Sequence, residues 1–178
     1  IELEQERTLL ALPPTVVGGA LIIPAHLLGA GGVLPPPDLG GLDRSKVERR
    51  GIEAVLAAEA ANGWTAVDLN VEHPNHPGYD IRSSRRTEPD RPEEARHIEV
   101  KGRIAGATTV TVSRTEILTG INEPDRYVLA LVRVDPDGSD TVRYVHRPFD
   151  DAMAEILFDV CSVNFTWSDL WDRGEEPA

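Results

Sequence analysis

Residues 126–134 read RYVLALVRV, apolar without a break from Tyr127 to Val132. Strict alternation marks a strand with one wet face, whereas an unbroken apolar run of this length marks a strand covered on both faces. Such a strand needs layers above and below it, and the segments around it can supply them. SKVERRGIEAVLAAEAANG (45–63) reads as a helix, with Ser45 and Glu48 as a capping box and Asn62-Gly63 as the stop. WTAVDLNV, YDIRS, RHIEVKGR and TTVTV read as strands, and SRTEILTGI as a second helix capped by Ser113 and Glu116. After the buried run, DPDG turns the chain into TVRYVHR. A helix is expected around DDAMAEILF, and Trp167 and Trp171, one helical turn apart, are expected to be packing anchors. The expected architecture is α/β, a mixed sheet flanked by helices.

Residues 29–43, GAGGVLPPPDLGGLD, are too rich in proline and glycine for a regular element. They divide residues 1–43, an N-terminal extension and linker, from a domain over 44–178. The apolar stretch at 15–34 is interrupted by Pro24 and His26, so no membrane span is expected. The first residues are charged from Glu2, which does not suggest a secretory signal, and the chain opens on isoleucine, so a piece of a longer protein is expected. The single cysteine, Cys161, fits a reducing, cytoplasmic setting.

The net charge of −12 argues against a free-standing nucleic-acid binder. The charge is uneven, however: residues 82–114 hold eight basic groups against five acidic ones. That window contains RHIEVKGR, and with it one of only two lysines among eighteen cations. Alternation along a strand sends Ile98 and Val100 one way and His97, Glu99 and Lys101 the other. If YDIRS pairs with this strand, Asp80 joins them. Two carboxylates beside an ammonium make a hard-oxygen cation site of the kind Mg²⁺ takes, with water and phosphate as its other ligands. A lysine there can orient or deprotonate a water, and a guanidinium cannot serve as the base. A solvated strand face with a weak ion pair shows the same pattern.

Glu59 is the second open position. It continues the apolar stripe of Ile52, Val55 and Leu56, either as a solvated end of that stripe or as a buried carboxylate with a task. Glu116 reads as structural through its capping box. His73 and His76, in HPNHP, read as a turn loop rather than a metal site. The arginines of RSSRR suit either a phosphate backbone or a solvated loop.

The order GIEAVLAAEAANGW, PGYDIRSS, RHIEVKGR, VTVSRTEI, RYVLALVRV resembles the NO VEIN C-terminal domain family, within the restriction-endonuclease-like superfamily and its Asp, gap, Glu-x-Lys pattern. The resemblance covers residues 44–147. It implies a restriction-endonuclease-like fold and a metal-dependent DNA endonuclease at the end of a helicase-like protein. It also implies Asp80, Glu99 and Val100 as ligands of Mg²⁺ (Mn²⁺ able to substitute), Lys101 as the catalytic lysine and Glu59 as a helix carboxylate joining the site. DNA contacts are expected from Arg82, Arg85, Arg86, Arg103 and Arg114. The family's Asn-Glu-Trp stretch is here Thr115-Glu116-Ile117, and the superfamily's proline is absent from GYD. A module of the same fold that binds nucleic acid or protein without turnover is the alternative.

Overall fold

A computed structural model describes residues 44–72, 78–88, 90, 92–135, 137–151, 153 and 160–178. The expected 1–43 extension, His73, His76 and most of the expected helix around DDAMAEILF lie outside the described residues. In chain order the elements are α1 (Arg44–Ala61), β1 (Thr65–Asp68), α2 (Leu69–Glu72), β2 (Ile81–Arg85), β3 (Glu94–Ile104), β4 (Thr109–Ser113), α3 (Arg114–Asn122), β5 (Tyr127–Val134), β6 (Asp140–His146), β7 (Ser162–Thr166) and α4 (Trp167–Arg173).

The buried run becomes β5, and it is buried for the reason its composition demands. Val128, Ala130, Val132 and Val134 face one core with Val47 and Val55 of α1, Ile81 and Ile98. Tyr127, Leu129 and Leu131 face a second core with Val110, Val112, Ile117, Phe149 and Leu170. The main sheet has the order β1-β2-β3-β5-β6. β3 and β5 run parallel, and the other neighbours are antiparallel. A mixed α/β sheet covered by helices is therefore present, as expected.

Three local readings are corrected. TTVTV forms a strand, but β4 leaves the main sheet and pairs with β7 in a separate two-stranded ribbon. WTAVDLNV is strand only to Asp68, whose Oδ1 accepts from the Asn70 amide at 2.9 Å and turns the chain into α2. This is the usual action of an aspartate on its own backbone two residues on. The first helix begins at Arg44, so Ser45 sits inside its first turn, and Glu48 accepts a hydrogen bond from Arg44 Nε at 2.9 Å.

One close approach positions the site. A Cβ on Gly102 of β3 would stand 2.9 Å from the Val47 carbonyl oxygen of α1, so only glycine lets the helix lie this near the strand. The N-terminal half of α1 is thereby held against the strand that carries Glu99 and Lys101. Among the described residues, no helix is long and apolar enough to cross a membrane.

Candidate functional site

The β2–β3 register pairs Ile81 with Ile98, and the Asp80 amide donates to the Ile98 carbonyl at 3.0 Å. Asp80 therefore enters the sheet opposite Glu99. Its carboxylate is held at both oxygens: Oδ2 accepts from the Val100 amide at 2.9 Å, and Oδ1 from Asn70 Nδ2 at 3.0 Å. Odd-numbered residues of β3 face α3. Lys101 Nζ donates to Glu99 Oε1 at 2.6 Å and lies 2.7 Å from Glu116 Oε2. The pairing of the two segments thus brings Asp80, Glu99, Val100 and Lys101 together.

Glu116 does two things. Its Oε2 accepts from the Ser113 amide at 2.9 Å, and its own amide donates to Ser113 Oγ at 3.3 Å, so the expected capping box is present. The same carboxylate also fixes Lys101, which the sequence reading did not foresee. Glu116→Ala should lower stability by about 0.5–2 kcal/mol through the lost cap. Glu116→Gln retains a side chain suited to the cap and should lose less in a thermal melt. Equal losses would mean that the ion pair outweighs the cap.

Three carboxylates around one ammonium leave an excess of negative charge. Burial drives the Glu99 carboxyl well above the ordinary range, and Asp80 and Glu116 push it further against the pull of Lys101. For Lys101, burial acts to lower its value, but the charges of Glu99 and Glu116 and their hydrogen bonds outweigh this and raise it. For Glu116, burial acts upward, and Lys101 and the Ser113 bonds overcome it and hold the carboxyl low. Tyr127, buried beneath the site, is raised by burial and then by all three carboxylates. These groups, Glu99 and Tyr127 excepted, border a cavity of about 490 Å³. Asn70, Asp80, Lys101 and Glu116 line it, and so do Arg44, Glu48, Arg103, Thr111 and Ser162.

The structure does not bring Glu59 to this group. Glu59 is fully buried, but on the α1 face of the sheet, the face opposite to that of Glu99 and Lys101. Tyr144 Oη donates to its Oε1 at 2.8 Å, and Arg96 Nε stands 3.2 Å from its Oε2. That last contact is an ion pair without hydrogen-bond geometry. Arg96 lies 3.5 Å over the Trp64 ring and donates to the Ala178 carbonyl at 2.7 Å. The carboxylate on the stripe is therefore accounted for by Arg96 and Tyr144, with the closing segment of the chain laid over them.

The expected arginines do not gather either. Ile81 and Ser83 are buried toward α1, and Arg85 follows their side of β2, paired with Glu94 at 2.9 Å and 4.3 Å over Trp64. Arg82 is exposed on the other side, Arg86 is exposed beyond the strand, and Arg114 is exposed at the start of α3. Arg103 does border the cavity. Four further residues were missed. Asn70 was hidden because the turn at Asp68 was read as strand. Arg44 and Glu48 were read only as helix start. His97 had no partner in the sequence, but it stacks on Tyr79 (centroids 4.2 Å apart, planes 5° apart), and its Nδ1 lies 2.5 Å from Glu123 Oε2. That stack lies beside Asp80, just before β2, and Glu99 on β3.

A search of the curated proteins finds no match. Among solved structures, a Holliday junction resolvase of Archaeoglobus fulgidus superposes with a TM-score of 0.41 at 13% identity, over 72% of this chain and 90% of that one. The overlap is loose at that score, and nothing about activity passes across it. The sequence match is firmer: residues 47–145 match the family described as the C-terminal part of the protein NO VEIN, and the chain belongs to that family.

Proposed function

We propose that this domain is a metal-dependent nuclease module of restriction-endonuclease-like design that hydrolyses DNA phosphodiesters. The observation that carries the reading is the meeting of Asp80 and Lys101 at one cavity through the β2–β3 pairing, with Glu99 bonded to Lys101 just behind its wall. The donor set fits a small divalent cation. Mg²⁺ takes one or two carboxylates and keeps other positions for water and phosphate. Burial is the main cause of the upward push on Glu99, and Asp80 and Glu116 add to it; a bound cation would favour the ionised form against both. Asp80, Glu99 and the Val100 main chain would hold it, and Mn²⁺ could substitute.

Bound there, the metal would offset the charge that builds on the phosphodiester. The chain's own residues divide the remaining work. Val100 and Asn70 hold Asp80 in one rotamer. Glu99 and Glu116 hold the Lys101 ammonium at one point. The charges of Glu99 and Glu116 favour the protonated form of Lys101. Held between them, it is placed to donate hydrogen bonds that orient the attacking water and the phosphate oxygens. A helicase-type motor in the same or a partner chain, delivering the DNA, belongs to this reading and rests on the family resemblance.

The second reading is a binding module without turnover. It is favoured by the Lys101–Glu99 bond of 2.6 Å, which occupies one oxygen of a metal-holding carboxylate. Melting curves separate the two. Glu99 has a folded-state value above its unfolded one, so its ionised form weakens the fold. The deficit opens as pH rises past the unfolded value of about 4.3 and is complete above the raised folded value. Glu99→Gln should therefore melt higher than wild type at pH 8 and alongside it at pH 4. Mg²⁺ should raise wild-type melting at pH 8 and leave the variant unmoved. Absence of any Mg²⁺ effect, together with no nicking of plasmid or single-stranded DNA, leaves the binding module.

A further inference from the structure

The cavity has a second half that the proposed chemistry does not use. Arg103 stands two residues beyond Lys101 on the same face of β3, about 6.6 Å along a strand. Its guanidinium is only partly exposed. It donates to the main-chain carbonyls of Gly102 at 2.8 Å and Thr109 at 3.4 Å, and among the described residues no carboxylate lies within ion-pair distance. Arg44 borders the same wall from the first turn of α1, whose positive dipole end adds to it. Burial lowers the Arg103 value, and the charge of Arg44 lowers it further against the opposing effect of Glu48. Thr111 and Ser162 complete this side with hydroxyls. Arg103 is half-buried without a carboxylate partner among the described residues, and beside it Arg44 is exposed and paired with Glu48 at 2.9 Å; together they present an anion seat that Glu48 only partly fills.

We infer that Arg44 and Arg103 form a second phosphate subsite, which takes the phosphodiester next to the scissile one on the same nucleic-acid strand. The inference rests on the nuclease reading for which phosphate lies at Lys101. It commits the substrate to a polymer, since a lone phosphate would leave one half of the cavity empty. Lys101 and Arg103 are separated by about one nucleotide of extended backbone, so one strand can meet both. It also moves the expected DNA footprint away from Arg82, Arg85 and Arg86, whose side chains point to different faces.

The test is fluorescence anisotropy of a short labelled oligonucleotide, measured in EDTA so that neither metal loading nor turnover enters. Arg103→Gln and the well-exposed Arg44→Gln should each weaken binding. Each should also reduce the slope of log affinity against log salt by about 0.7 for a single strand or 0.9 for a duplex, the loss of one phosphate contact. A neutral methylphosphonate placed one step from the scissile position should weaken wild type and have little further effect on Arg103→Gln. Should Arg103→Gln fail to fold in a melting assay, Arg44→Gln with the same methylphosphonate carries the test. Unchanged affinity and slope in both variants overturn the subsite, as does a methylphosphonate penalty as large in the variant as in wild type. Wild type that binds as described but never nicks DNA would remove the nuclease reading and leave the subsite standing. An effect seen equally with free inorganic phosphate as competitor at any oligonucleotide length would reduce it to a single-anion site and overturn the two-phosphate form.

Discussion

Lys101→Arg should lower Mg²⁺-dependent nicking by roughly 10²–10³-fold, the loss expected when one pre-placed donor is removed from a reacting centre. The formal charge survives, so the change is not one of net electrostatics. The ammonium sits between Glu99 at 2.6 Å and Glu116 at 2.7 Å in a pocket that leaves its side chain only 13% exposed. A guanidinium is longer and planar, and it donates from a fork rather than from a point. It can pair with Glu116 or with Glu99, but it cannot place a single donor where Nζ now stands. Overpacking of this kind typically costs about 1–3 kcal/mol, so melting should fall by roughly 2–12 °C. The measurement is a plasmid nicking time course beside a melt for each protein. Undiminished nicking by the arginine variant would remove Lys101 from the chemistry.

Glu59→Gln should act in the opposite way, with a large effect on the fold and none on metal binding. The substitution preserves volume and can still accept from Tyr144 Oη. It takes away the charge facing Arg96, which is 6% exposed as a residue and lies between Trp64 and Tyr144. Removing one partner of a buried ion pair strands the other and costs about 3–5 kcal/mol. In a chain of 178 residues this corresponds to roughly 10 °C in melting temperature. Mg²⁺ should raise the melting of this variant by the same increment as wild type, because Asp80 and Glu99 lie across the sheet. A wild-type melt combined with lost nicking would instead return Glu59 to the active site.

Several features of this protein were determined by its sequence alone, because each depends on how a residue points relative to its own backbone. The unbroken run from Tyr127 to Val132 required a strand covered on both faces, and β5 divides its side chains between two cores. Alternation in RHIEVKGR placed His97, Glu99 and Lys101 on one side, and the Ser113–Glu116 spacing determined a helix start. The order of these segments was enough to suggest the family that the match over residues 47–145 establishes.

Other features were decided only when distant segments packed. Helical periodicity put Glu59 in line with the apolar stripe but left open whether it was solvated or buried, and could not say which face of the sheet that stripe would meet. Arg96, 37 positions away, supplied the partner that kept it from the site. Asn70 reached Asp80 because Asp68 turned the chain at the end of β1, a local bond that competes with strand pairing. Glu116 could be read as a cap from three residues of spacing, but its hold on Lys101 required α3 to dock on β3. Arg44 reached the cavity through the close crossing at Gly102, where a helix and a strand meet at backbone distance. Spacing along one segment carries direction; which segment lies opposite is set by the burial of all of them at once.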